Sequence, residues 1–192
     1  MAKKKSKPAK SKNQFFNIII RYLILILIAL PNLWLFYFIF APLTIYPVYF
    51  LFNIFFDASL SGNIISISDC FQLELIGACI AGAAYYLLLI LNLSIPDIKL
   101  KKRLKMIFFA FASLLIVNIL RIFILGLIYL AGFSWFDITH KIFWYFLSTV
   151  FVVIIWFTEV KLFKIKDTPI YSDIKFLYKK SSFGIQKLSV FV

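Results

Sequence analysis

From Met106 to Ala131 the chain carries a single charge, Arg121, in a run of Ile, Leu, Phe and Val. At about 1.5 Å per residue, a helix over such a run covers the roughly 30 Å hydrocarbon core of a bilayer. Comparable runs cover 15–40, 79–95 and 140–160, and 63% of the 192 residues are hydrophobic, well above the apolar share of a soluble domain. The sequence therefore reads as an all-α polytopic membrane protein of about four transmembrane helices in one bundle.

The net charge of +13 raises the question of nucleic acid, and its distribution answers it. Lys and Arg gather in 1–12, in Lys99–Lys105 and after Val160, each beside an apolar run, while Ala41–Ala78 has none. That asymmetry sets membrane orientation, with basic loops on the cytoplasmic side of the plasma membrane. A nucleic-acid surface needs a basic patch with exposed aromatics, and no such patch is visible, so the expected contact of these loops is anionic lipid.

Three units follow: a basic cytoplasmic tail, 1–14; a membrane domain, 15–160; and a basic cytoplasmic tail, 161–192, in which Tyr171–Lys180 can form a surface amphipathic helix. No cleavable signal peptide is evident, because the apolar run after Lys12 is too long for one. The first span, 15–40, is expected to kink at Pro31–Asn32, with Arg21 snorkelling near its inner end. Ala41–Thr44 reads as a break. Residues 43–57, with Pro47, are short for a span. If they crossed back, the basic loop 99–105 would lie outside, so they read as a re-entrant or interfacial helix on the outer side. Residues 58–78 alternate apolar and polar over Asn63–Ser68 and Phe71–Leu75, which predicts a small β-hairpin lid turning near Asp69–Cys70. The spans 79–95, 106–131 and 140–160 then run inward, outward and inward.

On this topology Cys79 starts an inward span at the outer face. Arg121, sixteen residues past Lys105, is about 24 Å up a core of about 30 Å. His140, the one histidine, opens the last span, also outside. Loop charges alone thus bring three chemically able residues to one boundary. The thiolate is the reactive form of cysteine and a nearby cation favours it. An imidazole can take and return a proton, and a guanidinium can hold an oxyanion. Asn118, one helical turn before Arg121, can orient Arg121 or a substrate amide. His140, Trp144 and Ser148 share a face. Each residue also has a plainer reading: Cys79 as a packed small side chain or the partner of Cys70, Arg121 as a snorkelling cation, His140 as an interfacial residue. Gly77, Ala78, Gly82, Ala83 and Ala84 fit close helix packing. One His and two Cys make a poor ligand set, so neither a metal nor another cofactor is expected.

Cys79 in the segment GACIAG, Arg121 in NILRI with Asn118 ahead of it, and His140 at the head of the next helix resemble the exosortase/archaeosortase family of membrane transpeptidases. The similarity covers roughly Leu43–Phe157 and includes Pro42-Leu43-Thr44. The family commonly has a small residue and then Gly directly after the Cys. Here Ile80 and Ala81 stand there, before Gly82. The resemblance implies a cysteine peptidase-transpeptidase with Cys79, Arg121 and His140 as catalytic residues. Its partners would be exported proteins with a C-terminal sorting signal, made of a short motif, a transmembrane helix and a basic tail. The acyl group would pass to a surface acceptor, a lipid or a glycan. Two other classes stand beside this one: a non-enzymatic assembly or chaperone subunit, and a transporter, which the lack of paired mid-membrane acids and of an inverted repeat disfavours.

Overall fold

The computed structural model describes residues 8–29, 33–67, 71–95, 98–132, 135–142 and 146–165. They form α1 (Pro8–Ala29), α2 (Trp34–Phe55), β1 (Ala58–Ser61), β2 (Ile64–Ile67), β3 (Phe71–Glu74), α3 (Gly77–Ile80), α4 (Gly82–Leu93), α5 (Leu100–Leu130), α6 (Phe136–Ile142) and α7 (Ser148–Leu162). Two of these helices, α2 and α5, are long and apolar enough to cross a membrane, and Gly77–Leu93 makes a shorter apolar helix.

The N-terminal third differs from the sequence reading. The helix expected over 15–40 ends at Ala29, and a second helix starts at Trp34. The expected kink at Pro31–Asn32 lies outside the described residues. No break occurs at 41–44: α2 continues for 22 residues through Pro42 and Pro47. The expected short helix 43–57 is therefore the second half of α2. The reason is a buried stripe. Phe36, Phe40, Thr44, Val48 and Phe52 recur every four residues and are all buried, and this packing outweighs the hydrogen bonds that the two prolines remove. Residues 8–14, expected in the tail, are the first turns of α1, with Pro8 at the first helical position, where its missing N–H costs nothing.

Ring contacts give the helix directions. Phe40 meets Phe111 edge-on with centroids 5.6 Å apart, and Phe52 meets Phe123 at 5.0 Å, so α2 and α5 run parallel. Arg121 of α5 bonds Ser148 at the start of α7, and Asn92 at the end of α4 bonds Glu159 near the end of α7. Thus α4 and α7 run together, opposite to α2 and α5. The bundle has one core cluster around Phe36, Phe40, Tyr85, Leu114 and Ile155, and a second around Val48, Phe52, Ile65, Ile67 and Ile122.

The second cluster carries the sheet. Its order is β1-β2-β3, all antiparallel, so the expected hairpin is a three-stranded meander. The missed strand had a signal, the alternation in Ala58-Ser59-Leu60-Ser61. Gly62, at φ +64°, starts the two-residue turn between paired Ser61 and Ile64, a position that suits glycine. The expected turn at Asp69–Cys70 lies outside the described residues. Buried Ile65 and Ile67 seat the sheet on α2 and α5.

The far end of the bundle is polar. Arg103 donates to the carbonyls of Asn92 (2.6 Å), Leu93 (3.1 Å) and Ile95 (2.7 Å). Arg21, expected to snorkel, instead donates to Leu93 (2.9 Å) and Ile95 (3.3 Å). The two guanidiniums satisfy the last carbonyls of α4 and sit at its negative pole. α5 starts at Leu100, inside the stretch expected to be a basic loop, and Arg103 in its first turns therefore reaches the end of α4 from a helix. Replacing Arg103 by Ala should cost about 2 kcal/mol, the weight of charge-assisted bonds to buried acceptors, and lower the melting temperature of the chain in detergent micelles. Arg103→Lys, which keeps the charge but loses the planar fork, should recover only part of it.

Candidate active site

Cys79 sits on the single turn α3, between β3 and α4, with its amide donating to Ile76 at 2.8 Å. It is a free, half-buried thiol packed against the sheet-bearing core. Cys70 lies outside the described residues.

The helix expected from Cys79 onward is interrupted two residues later. Ala81 takes the left-handed conformation, φ 60° and ψ 35°, closing α3 and opening α4. A non-glycine residue there costs about 1–2 kcal/mol, so surrounding contacts must hold it. One is Asn118 of α5, whose amide Nδ2 donates to the Cys79 carbonyl at 2.8 Å. The other is Tyr37 of α2, which lies against both glycines beside the break: a Cβ on Gly82 would stand 2.8 Å from the Tyr37 ring, and one on Gly77 3.4 Å. Gly126 of α5 likewise admits Phe52, whose ring occupies the space a Cβ would take.

Arg121 is anchored by one arm. Its Nη1 donates to the Ser148 hydroxyl at 2.8 Å, while its buried Nε has no partner among the described residues. Arg121 and Cys79 border the same space between α3 and α5. His140, expected to open the last span, lies on the separate α6 and stacks on Phe136 with centroids 5.6 Å apart and planes 5° off parallel. Trp144 lies outside the described residues.

These side chains meet around a cavity of about 470 Å³, whose wall includes Cys79, Arg121, His140 and Ser148. Its size is that of a small-ligand or peptide pocket. Cys79, Arg121 and His140 are thus brought together as expected from the sequence. Asn118 is placed differently from the substrate-orienting position expected. It is buried behind the cavity, beside a void of about 10 Å³ shared with Arg121 and Ser148, and holds the backbone that carries the thiol. Sequence reasoning missed Tyr37, which has no motif around it, and the strain at Ala81.

In comparisons with protein-family models, with characterised proteins and with solved structures, nothing matches the chain. What the site offers is a thiol, a guanidinium whose Nε is unpaired among the described residues, and an imidazole around one cavity.

Ala81→Gly should stabilise the chain by about 1 kcal/mol, because glycine carries no Cβ penalty at positive φ. Ala81→Val should destabilise it by more than that, a β-branched side chain being the worst fit there. Melting curves of both variants in one detergent check the pair. If Ala81→Gly gives no gain, the break is not strained.

Proposed function

We propose that the chain is a membrane-embedded cysteine transpeptidase of the exosortase/archaeosortase type. It would cleave C-terminal sorting signals of exported proteins at the outer membrane face and pass them to a surface acceptor. The observation that carries this reading is the meeting of Cys79, Arg121 and His140, from three separate elements, on one cavity wall. The membrane setting is supported by the outer faces of the helices. Phe38, Phe50, Phe108 and Phe157 are each more than 60% exposed, and a helix apolar all round belongs in lipid. The four spans are then α2, α3 with α4, α5 and α7. The end bearing Arg21 and Arg103 lies inside with both termini, and the thiol end lies outside.

In the proposed reaction the Cys79 thiolate attacks a backbone carbonyl of the docked signal. The Sγ–C bond forms as the carbonyl π pair moves to oxygen, where the free Nε of Arg121 holds it. Ser148 keeps the guanidinium from swinging away. Collapse of the intermediate breaks the C–N bond, and His140 delivers a proton to the leaving amine. The thioester left on Cys79 is resolved by an acceptor amine, a lipid or glycan hydroxyl, or water, which gives its proton to His140 as the sulfur leaves, restoring the Cys79 thiolate and the protonated imidazole.

The second reading, an assembly subunit with no chemistry, draws on the same close packing of glycines against Tyr37 and Phe52. Gly82→Leu does not separate the two, since Tyr37 blocks the larger side chain under either reading. Cys79→Ser does: full function would favour the subunit. The direct test uses a membrane-impermeant maleimide on intact cells in a Cys70→Ser background. Cys79 should label from outside, and Arg121→Ala should slow labelling by about tenfold, the weight of one close charged contact. Labelling only after permeabilisation would reverse the topology. Unchanged processing of surface proteins in cells carrying Cys79→Ala would end the transpeptidase reading.

A further inference from the structure

Among the described residues the outer edge of β3 is unpaired, and it leads directly to the thiol. In an antiparallel pair, successive residues point their backbone groups alternately toward the neighbour and away from it. The Leu75 amide donates to the Asn63 carbonyl at 2.9 Å. Leu73 opposite Ile65 and Phe71 opposite Ile67 stand in the same phase. The N–H and C=O groups of Gln72 and Glu74 therefore point away from β2. Among the described residues no strand lies on that side, because β3 is last in the sheet. The other edge, β1, leans on α2.

Open edges are usually blunted by Pro, Lys, a bulge or a cover, since they template another strand. β3, with the sequence FQLE, has neither Pro nor Lys. Glu74 and Ile76 are exposed, and both form part of the cavity wall that also carries Cys79. The edge is thus continuous with the candidate site.

We infer that this edge binds the scissile segment of an exported polypeptide in extended form, as a fourth strand of the sheet, and so leads its carbonyl to Cys79. The inference rests on the transpeptidase reading for the fate of that carbonyl. The chemistry of the edge selects the occupant. It offers a donor and an acceptor on every second residue, about 6.8 Å apart. An extended peptide backbone matches that repeat, whereas an acyl chain has no polar groups to offer it. Side chains of the added strand alternate. Those on the face of Leu73 and Leu75 turn toward the bundle, and those on the face of Glu74 turn away from it, with both faces bordering the cavity. The hydrogen bonds fix register, and the cavity selects alternate residues of the motif.

The test uses the purified full chain with Cys70→Ser and two probes that alkylate Cys79, iodoacetamide and N-acetyl-tetraalanyl chloromethyl ketone, read by mass spectrometry. Methylating the amides of one alternate pair of alanines should slow the peptide probe by about tenfold, the loss of a backbone hydrogen bond to the edge, while methylating the other pair leaves it within about twofold. Glu74→Pro removes an N–H from the free edge and none from the ladder to β2, and should lower the ratio of peptide to iodoacetamide rates by a similar factor. Rates indifferent to the methylation pattern overturn strand addition, even where iodoacetamide shows Cys79 to be reactive. A second measurement needs no thiol. In Cys79→Ala, hydrogen exchange at the Gln72 and Glu74 amides should slow when N-acetyl-tetraalanine amide is added at millimolar concentration. Slowed exchange beside an unreactive Cys79 keeps the edge and sinks the transpeptidase reading, and unchanged exchange sinks the edge.

Discussion

A helix that ends among apolar neighbours leaves carbonyls that no water reaches, and each must find a donor from a side chain. The single turn α3 and the short helix α4 that follows it each face this constraint where they end. Where α3 ends, the Ala81 break puts the Cys79 carbonyl in front of Asn118. Where α4 ends, Arg103 and Arg21 share the carbonyls of Asn92, Leu93 and Ile95. Both Asn118 and Arg103 belong to α5, so one long helix holds the shorter pair at top and bottom. The depth of the thiol in the bundle follows from that pair of fixings, because Cys79 is covalently tied to the end of α4 and cannot slide along α5.

The same constraint explains which parts of the fold were legible in the sequence. Charge asymmetry and run length placed Cys79, Arg121 and His140 at one end of the bundle, and they do line one cavity. Alternation located β2 and β3. These signals are local or additive, so a single sequence carries them. The course of α2 was not legible, because it depends on competition. Pro42 and Pro47 argue for a break, and the four-residue stripe from Phe36 to Phe52 argues for continuity. Only the partners on α4, α5 and the sheet decide the outcome. The position of Asn118 escaped for a related reason: its role is set by the Cys79 carbonyl 39 residues earlier, next to the strained Ala81, which spacing on α5 alone does not reveal. Arg21 and Arg103 looked like ordinary membrane-boundary cations until the end of α4 was placed between them.

Both ends of the bundle hold buried polar groups that are only partly paired. At the guanidinium end, Asn92 and Glu159 are fully buried and joined at 3.1 Å, fastening α4 to α7, while Asn92 Oδ1 and Glu159 Oε1 have no partner among the described residues. A bond of this kind in a dry interior is costly to break, so that end acts as a fixed base. At the thiol end the polar atoms surround open volume. Arg121 uses one nitrogen on Ser148 and leaves Nε available. Its guanidinium is thus anchored through Nη1, while the Nε–H is unpaired among the described residues beside the cavity.

Ala81 shows what the site gives up for this arrangement. The left-handed turn could have been avoided by continuing the helix from Gly77 to Leu93, and the chain would have gained the local stability of an unbroken helix. An unbroken helix would also have drawn the Cys79 carbonyl into its own ladder, leaving Asn118 buried without an acceptor. It would have shifted Gly82 relative to the Tyr37 ring that now fills the space beside it. Strain of about 1–2 kcal/mol at one residue is smaller than the penalty for a buried unsatisfied amide together with a lost ring contact. The break therefore persists, and with it the exposure of one face of Cys79 to the cavity.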